Sequence, residues 1–356
     1  MAHCIHYGVC GGCVSDDPDA PDKRALLREA LARAGYGDAA VAPLARVPWH
    51  SRRRVDLAAR RHGAEISLGL HRARSPEVAD MRECALLRPE LLGLLPPLRA
   101  LLRGLQAFRR AAELAANWLD NGADILLRLD APLTPPDRAR LVEFAKAQAI
   151  PRLSVSLAGG EAEPIAILAT PVLRFAGVAV SPPPGAFLQA CPEGETAITA
   201  AILAGLPEMR PRSRIVELYS GCGTFTFPLA QIARVEAYEA GAAAAAAAER
   251  AARGAGLAGR VSVKRRDLRR QPLLPRELRG AAAVVLDPPF AGSGPQIHHL
   301  AAAQIPSIVY VSCNPAALAR EAAVLRQAGY TLASATPIDQ FLYSENVESV
   351  LNFTKS

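Results

Sequence analysis

The segment 215–229, with the sequence IVELYSGCGTFTFPL, constrains the fold more than any other part of the chain. Residues 214–219 have the apolar pattern of a short strand, and Gly221 and Gly223 bracket a tight turn that leads into an apolar helix. A strand, a glycine turn and a helix N-terminus form the ligand crevice of many open α/β sheets. Glycines let the backbone approach a ligand closely, although Gly-x-Gly is shorter than the dinucleotide fingerprint. The segment predicts either a nucleotide-like cofactor site or a plain strand-to-helix turn.

Three later apolar runs also end in polar residues. Residues 235–239 (VEAYE) end in Glu239, residues 283–287 end in Asp287, and residues 307–312 (SIVYVS) are followed by Cys313. Open α/β sheets bind their ligands at the carboxyl ends of the strands. The pattern predicts a doubly wound α/β sheet with these side chains along one edge.

These residues carry a resemblance to a known family. The motifs ELYSGCGTF, VEAYE, LDPP, VYVSCNPAALARE and DQFLYSENVESV, in this order, resemble the RNA uracil-5-methyltransferases that use S-adenosylmethionine. The resemblance covers essentially the whole chain, and the VSCNP block and the late VE are its specific parts. It implies a class I methyltransferase domain with a Rossmann-like sheet, preceded by an N-terminal Fe–S region and a central α+β domain.

The resemblance also implies a reaction. C5 of uracil is too weak a nucleophile to attack a methylsulfonium directly, so a thiolate first adds to C6 and a base later removes the C5 proton. Cys313 matches the family's nucleophile and Glu348 matches its base. Cys222 competes with Cys313 by its position in the glycine turn, and a buried structural thiol is the alternative role for Cys313.

The cofactor contacts are implied in the same way. Glu239 suits the ribose hydroxyls, because a carboxylate can accept two hydrogen bonds from a diol. The full set that we expect around S-adenosylmethionine is Gln189, Tyr219, Gly221, Gly223, Thr224, Glu239 and Asp287.

Three of the seven cysteines lie in the first thirteen residues, as Cys4, Cys10 and Cys13 in a glycine-rich stretch. Thiolates at this spacing are typical of zinc and Fe–S sites. Cys84 is the other cysteine of the first half. The resemblance implies a structural [4Fe–4S] cluster held by these four cysteines. Structural zinc with His3 or His6 is the alternative, and unrelated thiols are a third.

The charge pattern favours a polyanionic partner. The net charge is +7, and eight arginines but only two acids lie between Arg46 and Arg74. Here Arg52-Arg53-Arg54 leads into a predicted hairpin (VDLAA and ISLGLH), on which Arg52 and Arg54 would project to one side. A basic β-surface suits phosphate contacts with RNA. A solvated arginine face is the alternative for this first run. We also consider RNA contact for a second basic band, residues 250–279, which a solvated surface explains almost as well.

The pattern of apolar residues predicts three parts: residues 1–88, 89–184 and 185–356, with Pro182 to Gly185 at the second boundary. We expect an amphipathic helix over residues 23–34, helical structure over 88–119 interrupted at two prolines, a helix over 136–148, and strands around it.

Four residues depart from the family pattern. Cys191 stands where Asn is usual, Phe290 replaces an Arg, Leu342 a Pro and Asn346 a His. The nucleophile and the base remain, so we expect an active enzyme with altered surroundings.

Together these features predict an enzyme that forms 5-methyluridine in RNA. Only three residues precede Cys4, a compact layout that resembles bacterial family members acting on large-subunit rRNA. The resemblance therefore favours rRNA over tRNA as the substrate. A non-catalytic RNA-binding or assembly protein is the alternative from another class. We expect a cytoplasmic location, because the sequence has neither a signal peptide nor an apolar stretch that spans a membrane. We expect a monomer, because no feature of the sequence implies a protein partner.

Overall fold

The structure, a computed structural model, describes residues 4–157, 159–210 and 212–355. The helices of this part of the chain are α1 (Lys23–Arg33), α2 (Pro89–Gly93), α3 (Leu95–Gly104), α4 (Pro135–Ala147), α5 (Pro192–Gly205), α6 (Thr226–Ala230), α7 (Ala242–Gly254), α8 (Pro275–Leu278), α9 (Gln296–Ala303) and α10 (Pro315–Gln327). The strands are β1 (Ala45–Arg46), β2 (Arg54–His62), β3 (Glu65–Gly69), β4 (Ala111–Leu119), β5 (Gly122–Leu129), β6 (Arg152–Leu157), β7 (Glu163–Ile167), β8 (Leu173–Phe175), β9 (Val178–Val180), β10 (Arg214–Leu218), β11 (Arg234–Glu239), β12 (Val261–Arg265), β13 (Ala283–Leu286), β14 (Ser307–Ser312), β15 (Thr331–Asp339) and β16 (Glu348–Thr354).

The C-terminal half forms an eight-stranded sheet in the order β1-β15-β16-β14-β13-β10-β11-β12. All neighbouring pairs are parallel except the two that β16 makes with β14 and β15. The order reverses between β10 and β13, which is the switch point where such sheets bind ligands. The antiparallel strand β16 begins at the edge where β14 ends, since Ser349 pairs with Ser312.

Alternate residues of the central strands enter two different cores. In β13, Val284 and Leu286 pack with α1, α9 and α10, whereas Ala283 and Val285 pack with α5, α6 and α7. Side chains of a strand alternate between its faces, so a nearly continuous apolar run is what a sheet covered on both sides requires. The doubly wound α/β prediction is confirmed.

A second sheet has six strands in the order β3-β2-β4-β5-β6-β7. Its first hairpin, β2 with β3, confirms the hairpin predicted after the arginine run. The predicted helical structure over 88–119 is wrong in its second half, because residues 111–119 form β4 between β2 and β5.

The first 88 residues contribute to both sheets. Helix α1 confirms the amphipathic helix, and β1 pairs in parallel with β15 of the eight-stranded sheet, whereas β2 pairs with β4 of the other sheet. The boundary that we place at 88/89 therefore runs through the six-stranded sheet, and the three-part division stays a prediction. No helix in the described part of the chain is long and apolar enough to cross a membrane.

Candidate active site

A cavity of about 680 Å³ opens at the edge of the eight-stranded sheet where β10, β11, β13 and β14 end. The predicted site residues that line it are Gln189, Tyr219, Gly221, Glu239, Asp287, Cys313 and Glu348, with Cys222, Arg52 and Arg54 beside them. Tyr219, Glu239, Asp287, Cys313 and Glu348 meet here because each ends, follows or begins a strand at the same edge of the sheet, whereas Gln189 comes from the segment before α5. The structure thus brings the predicted nucleophile, base and cofactor contacts to one cavity.

The glycine turn is fixed by Glu239. The Glu239 carboxylate accepts the N–H groups of Gly221 at 2.9 Å and Gly241 at 2.6 Å, one on each oxygen. Tyr219 and Gly221 have φ of 63° and 57°, so the chain turns sharply between β10 and the cavity. Each carboxylate oxygen has a second lone pair, which leaves Glu239 able to accept hydrogen bonds from a ligand diol.

Gly223 and Thr224, which we expect around the cofactor, are not among the residues that line this cavity. Gly223 has φ of 102°, and a Cβ there would lie 2.5 Å from the ring of Phe227. Its role in the structure is therefore to let the turn pack on Phe227. Thr224 is half-buried within the turn.

A chain of amides joins the two acids of the cavity. The Gln189 amide donates to Asp287 at 3.0 Å, and the Gln340 amide donates both to Gln189 at 2.9 Å and to Glu348 at 2.7 Å. Gln340 and Glu348 are buried, and each leaves one side-chain oxygen without a hydrogen-bond partner. Unpaired buried acceptors cost free energy, so these oxygens favour a ligand donor or a proton.

Burial and mutual repulsion change the proton affinity of the reactive groups. Burial and, secondly, the charge of Asp287 raise the pKa of Glu348 to about 8, against the lowering effect of the Gln340 hydrogen bond. Burial likewise raises the pKa of Asp287 to about 7, against the hydrogen bond from Gln189. Both carboxyls therefore exchange protons near neutral pH, as acid–base groups at active sites do.

Cys313 lies against these two acids. Burial raises the pKa of its thiol to about 12, and the charges of Glu348 and Asp287 add to the effect. Cys313 is therefore a thiol in the free protein and needs a proton acceptor before it can act as a nucleophile. The competing thiol, Cys222, is buried, and burial raises its pKa to about 12 as well. The pKa values therefore do not show which of the two thiols, Cys222 or Cys313, is the nucleophile. Only for Cys313 do the charges of both Glu348 and Asp287 contribute to the pKa.

Asn314, the residue after Cys313, contacts both the start of α10 and the segment that follows β13. Its side-chain oxygen caps α10 by accepting the N–H groups of Ala316 at 3.0 Å and Ala317 at 3.3 Å. Its amide donates to the backbone oxygen of Phe290 at 2.8 Å. One residue thus holds the segment after β13 against the segment after β14.

The arginine run enters the cavity wall. Arg53 is buried, pairs with Glu195 and donates to the backbone oxygen of Gln189, so it anchors the chain that carries Gln189. Its neighbours Arg52 and Arg54 line the cavity, and the Arg54 guanidinium lies 4.9 Å from the centre of the exposed Phe187 ring. Positive charge and an aromatic ring therefore stand together at this wall.

Part of the second basic band is engaged in ion pairs. Lys264 pairs with Glu236, and Arg266 makes two hydrogen bonds with Glu277 at 2.7 and 3.1 Å. Arg269 is exposed and lines the cavity. At most a part of this band is therefore available to RNA at the cavity.

A second cavity, of about 280 Å³, is lined by Cys4, Cys10, Cys13 and Cys84. All seven cysteines are free thiols. Burial is the main cause that raises the pKa of Cys4, Cys10 and Cys13, and the negative charges of neighbouring cysteines contribute to the rise. The pKa of Cys13 is raised to about 11. Four thiols that line one cavity are a donor set for a metal cation, which would bind them as thiolates. As placed, however, the described residues include no group of three or more ligating side chains arranged to hold a metal ion.

Of the two histidines offered for zinc, His6 lines the cysteine cavity. The ring Nε2 of His6 accepts the N–H groups of Arg82 at 2.9 Å and Glu83 at 3.4 Å, so this nitrogen is already used. His3 lies outside the described residues.

The cysteine cavity touches the catalytic loop, residues 340–347. The N–H of Val14 donates to the backbone oxygen of Tyr343 at 2.7 Å, and Tyr343 lines the cysteine cavity. Two of the departures, Cys191 and Leu342, are buried in one apolar cluster that packs against Cys13 and Cys84.

The position of Cys191 explains its role. The sulfur of Cys191 accepts the N–H of Gly194 at 3.3 Å and caps the N-terminus of α5. Asn is among the preferred residues at such a cap, so the usual residue and Cys191 meet the same backbone need. Asn346, by contrast, is exposed and does not line the catalytic cavity.

Asp267 and Gln340 are among the lining residues that our expected site does not include. Asp267 follows β12 closely, just as Asp287 follows β13, so the rule of strand ends indicates it. Gln340 follows β15 directly, within the DQFLYSENVESV motif, but only its contacts show what it does.

Comparisons with known proteins agree with this geometry. Residues 260–356 match the model of the family described as tRNA (Uracil-5-)-methyltransferase. An uncharacterized RNA methyltransferase of Brucella suis biovar 1 is 38% identical over 99% of this chain and 84% of its own length. The 23S rRNA (uracil(1939)-C(5))-methyltransferase RlmD of Yersinia enterocolitica is 31% identical over 98% of this chain and 80% of its own length.

A solved structure shares the fold. The Pyrococcus abyssi tRNA (uracil-54, C5)-methyltransferase in complex with S-adenosyl-L-homocysteine superposes with a TM-score of 0.71 over 93% of this chain and 82% of its own. The two sequences are 19% identical, so this likeness concerns the fold alone.

Proposed function

We propose, from the premise that the chain belongs to the RNA uracil-5-methyltransferase family, that it forms 5-methyluridine in large-subunit rRNA with Cys313 as nucleophile and Glu348 as base. The observation that carries the proposal is the cavity in which Cys313, Glu348 and Asp287 meet beside the glycine turn. The choice of rRNA is supported by the Yersinia enterocolitica relative, whose name specifies a 23S rRNA uracil.

S-Adenosylmethionine supplies an electrophilic methyl group, and the residues of the chain do the rest. Cys313 gives its thiol proton to the neighbouring Asp287 carboxylate, which leaves Glu348 free to act later as the base. The Cys313 sulfur then forms a bond to C6 of the target uracil, which places electron density on C5. After C5 has accepted the methyl group, the Glu348 carboxylate removes the C5 proton. The C6–sulfur bond then breaks, and the thiolate of Cys313 is restored. A target base in folded RNA has to leave its stack to reach Cys313.

The cavity has groups that suit the cofactor. Glu239 has acceptor capacity left for a ribose diol, and an added Cβ at Gly221 would meet no atom within 4 Å, so the turn leaves room beside it. Gln189, Tyr219, Gly221, Glu239 and Asp287 would hold S-adenosylmethionine. The predicted contacts of Gly223 and Thr224 with it stay predictions.

The four cysteines of the second cavity would hold a [4Fe–4S] cluster. Their support is chemical: they line one cavity, and their thiolates repel one another there. Bound cations would remove that repulsion, and the four bonds would fasten the N-terminal loop to the chain around Cys84.

Arg52 and Arg54 would contact the RNA phosphates. Both line the catalytic cavity, where their charges attract a polyanion without reading its sequence. If Arg54 contacts one phosphate, Arg54→Ala should reduce the salt dependence of RNA binding by about one unit of log–log slope.

Nucleoside mass spectrometry tests the reaction and the substrate together. The protein is incubated with S-adenosylmethionine and, separately, with unmodified large-subunit rRNA and tRNA. We expect 5-methyluridine in rRNA with wild type and with Cys222→Ala, and none with Cys313→Ala, which should still bind S-adenosylhomocysteine. Glu348→Gln should accumulate a covalent RNA–protein complex, because the C5 proton stays in place.

Other outcomes select the alternatives. Product in tRNA alone would move the substrate to tRNA. RNA binding without methyl transfer in either pool would favour the assembly protein, and activity of Cys313→Ala would assign the nucleophile elsewhere.

A further inference from the structure

Phe290 combines high exposure with a fixed backbone. Its side chain is 59% exposed although it lines the cavity, and the side chain of Phe187 at the same cavity is 66% exposed. The N–H of Gly292 donates to the backbone oxygen of Pro289 at 2.7 Å and closes a turn with Phe290 near its tip. The Asn314 amide holds the Phe290 carbonyl at 2.8 Å.

The far side of this turn is also anchored. Glu321 accepts the Ser293 hydroxyl at 2.7 Å and the Gly294 N–H at 3.1 Å. Gly292 has φ of 95°, and a Cβ there would lie 2.4 Å from the Glu321 carboxylate. Buried hydrogen bonds therefore hold a turn whose tip presents an aromatic ring to solvent.

The position of Phe290 in the sheet indicates whether its ring lies near the proposed cofactor site or near the proposed nucleophile. Phe290 follows β13 and is bound to the residue after Cys313, which follows β14. Glu239, the proposed ribose acceptor, ends β11, and in the sheet β11 lies three strand spacings, about 14 Å, from β14. Phe290 thus lies on the side of the nucleophile.

The charge around the cavity fits a nucleic acid. The arginines Arg52, Arg54 and Arg269 line the cavity together with Phe290. Unstacked RNA bases bind aromatic side chains by stacking, whereas their phosphates bind cations. An exposed ring among cations is the arrangement that a single-stranded segment of RNA requires.

We infer that Phe290 is a stacking platform for the nucleobase adjacent to the target uridine. The inference rests on the proposed function, since it takes RNA as the substrate. It gives this chain a contact with a flanking base at a position where the family pattern has a cation.

A fluorescent base tests this contact directly. The probe is a short single-stranded RNA with one uridine and 2-aminopurine on its 5′ or its 3′ side, because stacking on an aromatic ring quenches 2-aminopurine. We expect wild type and Phe290→Trp to quench one of the two probes. Phe290→Ala should lose that quenching and bind about 5- to 150-fold more weakly, from 1–3 kcal/mol per stacked base.

The controls separate stacking from other losses. Ile167→Ala removes an equally exposed apolar side chain that does not line this cavity, and it should bind like wild type. With an abasic site in place of the quenched base, wild type and Phe290→Ala should bind equally.

Equal binding and quenching by wild type and Phe290→Ala, or no quenching by wild type, would overturn the inference. Weaker binding of S-adenosylhomocysteine with unchanged RNA binding would also overturn it and assign Phe290 to the cofactor. Methyl transfer is measured on the same variants. Methylation without a Phe290-dependent quench refutes only the stacking, and a Phe290-dependent quench without methylation refutes only the reaction.

Discussion

Two side-chain amides separate the carboxylates of the catalytic cavity, and Gln340 is the one that contacts Glu348. Its amide donates to Glu348 at 2.7 Å, and a Cβ at Gly194 would lie 2.8 Å from its side-chain oxygen. Just before it, Asp339 is buried and paired with the buried Lys23. These contacts leave Gln340 little freedom, so it sets the position of the proposed base.

Replacing Gln340 by methionine should therefore change the pH dependence of the reaction. The hydrogen bond lowers the pKa of Glu348, so its loss raises that pKa, and Glu348 becomes ionised only at higher pH. We expect kcat at neutral pH to fall by about 10- to 100-fold, from 1.5–3 kcal/mol for a hydrogen bond to a charged group. The rising limb of kcat against pH should move to higher pH.

The control is Gln231→Met, which removes an amide that bonds to Ala176 outside the cavity. A fall in kcat for Gln340→Met that is the same at every pH would contradict this role, because a merely structural defect does not move the pH profile.

Single residues also show how far the sequence predicts a site. Cys313, Asp287 and Glu239 were predictable because each ends a recognisable apolar run, and strand ends meet at one edge of a sheet. Glu348 was predictable only from its motif, since it begins an antiparallel strand. The direction of the Gln340 side chain depends on packing around Lys23 and Gly194, which no local pattern encodes.

At the scale of elements, β4 shows where local pattern fails. Its sequence AAELAANWL is rich in Ala, Leu and Glu, which favour helices. The segment is nevertheless a strand, because it pairs with β2 on one side and β5 on the other, and eight of its nine residues are buried or half-buried. Burial on two faces and two ladders of hydrogen bonds outweigh a propensity of a few tenths of a kcal/mol per residue.

A buried glutamate joins β10 to α6 beneath the glycine turn. The Thr226 hydroxyl donates to Glu217 at 2.5 Å, while the other Glu217 oxygen has no partner. Burial raises the pKa of Glu217 to about 8 from an ordinary 4.5. Because the folded state holds this proton more tightly, the protonated group favours folding below pH 4.5, and that stability is lost as pH rises to 8.

Glu217→Gln should reveal this effect as a crossover. The glutamine side chain at position 217 cannot ionise. Its NH2 group takes the place of the unpaired Glu217 oxygen, where no acceptor is present, and this lowers the free energy of unfolding by about 1–3 kcal/mol. We expect the variant to be less stable than wild type near pH 5. Relative to wild type it should gain roughly 3 kcal/mol by pH 8.5, from 1.36 kcal/mol per pKa unit.

Urea unfolding at both pH values measures the difference, with the exposed Glu208→Gln as control. A pH-independent difference between Glu217→Gln and wild type would show that Glu217 titrates alike in the folded and unfolded chains.

At the scale of the whole molecule, the cysteine cavity connects the N-terminal loop, the chain around Cys84 and the catalytic loop. We expect Cys84→Ser, purified without oxygen, to lose iron and sulfide and to unfold at lower temperature. Hydrogen exchange should then increase at residues 340–347, because the Val14 bond to Tyr343 depends on the N-terminal loop.

Cys222→Ser is the matched control, since it alters a buried thiol that does not line the cysteine cavity. Wild type that contains zinc and no iron would replace the cluster by zinc. Unchanged exchange at residues 340–347 in iron-free Cys84→Ser would show that the two sites are independent.

The pairing of β1 with β15 joins residues 45–46 to residues 338–339. A two-residue strand has no periodicity, so the sequence gives no sign that β1 forms the edge of the eight-stranded sheet. During synthesis on the ribosome, this early segment waits without its partner until nearly the entire chain has been made. The C-terminal half therefore cannot be completed one domain at a time, and its cavity lacks Glu348 until the end of the chain has been made.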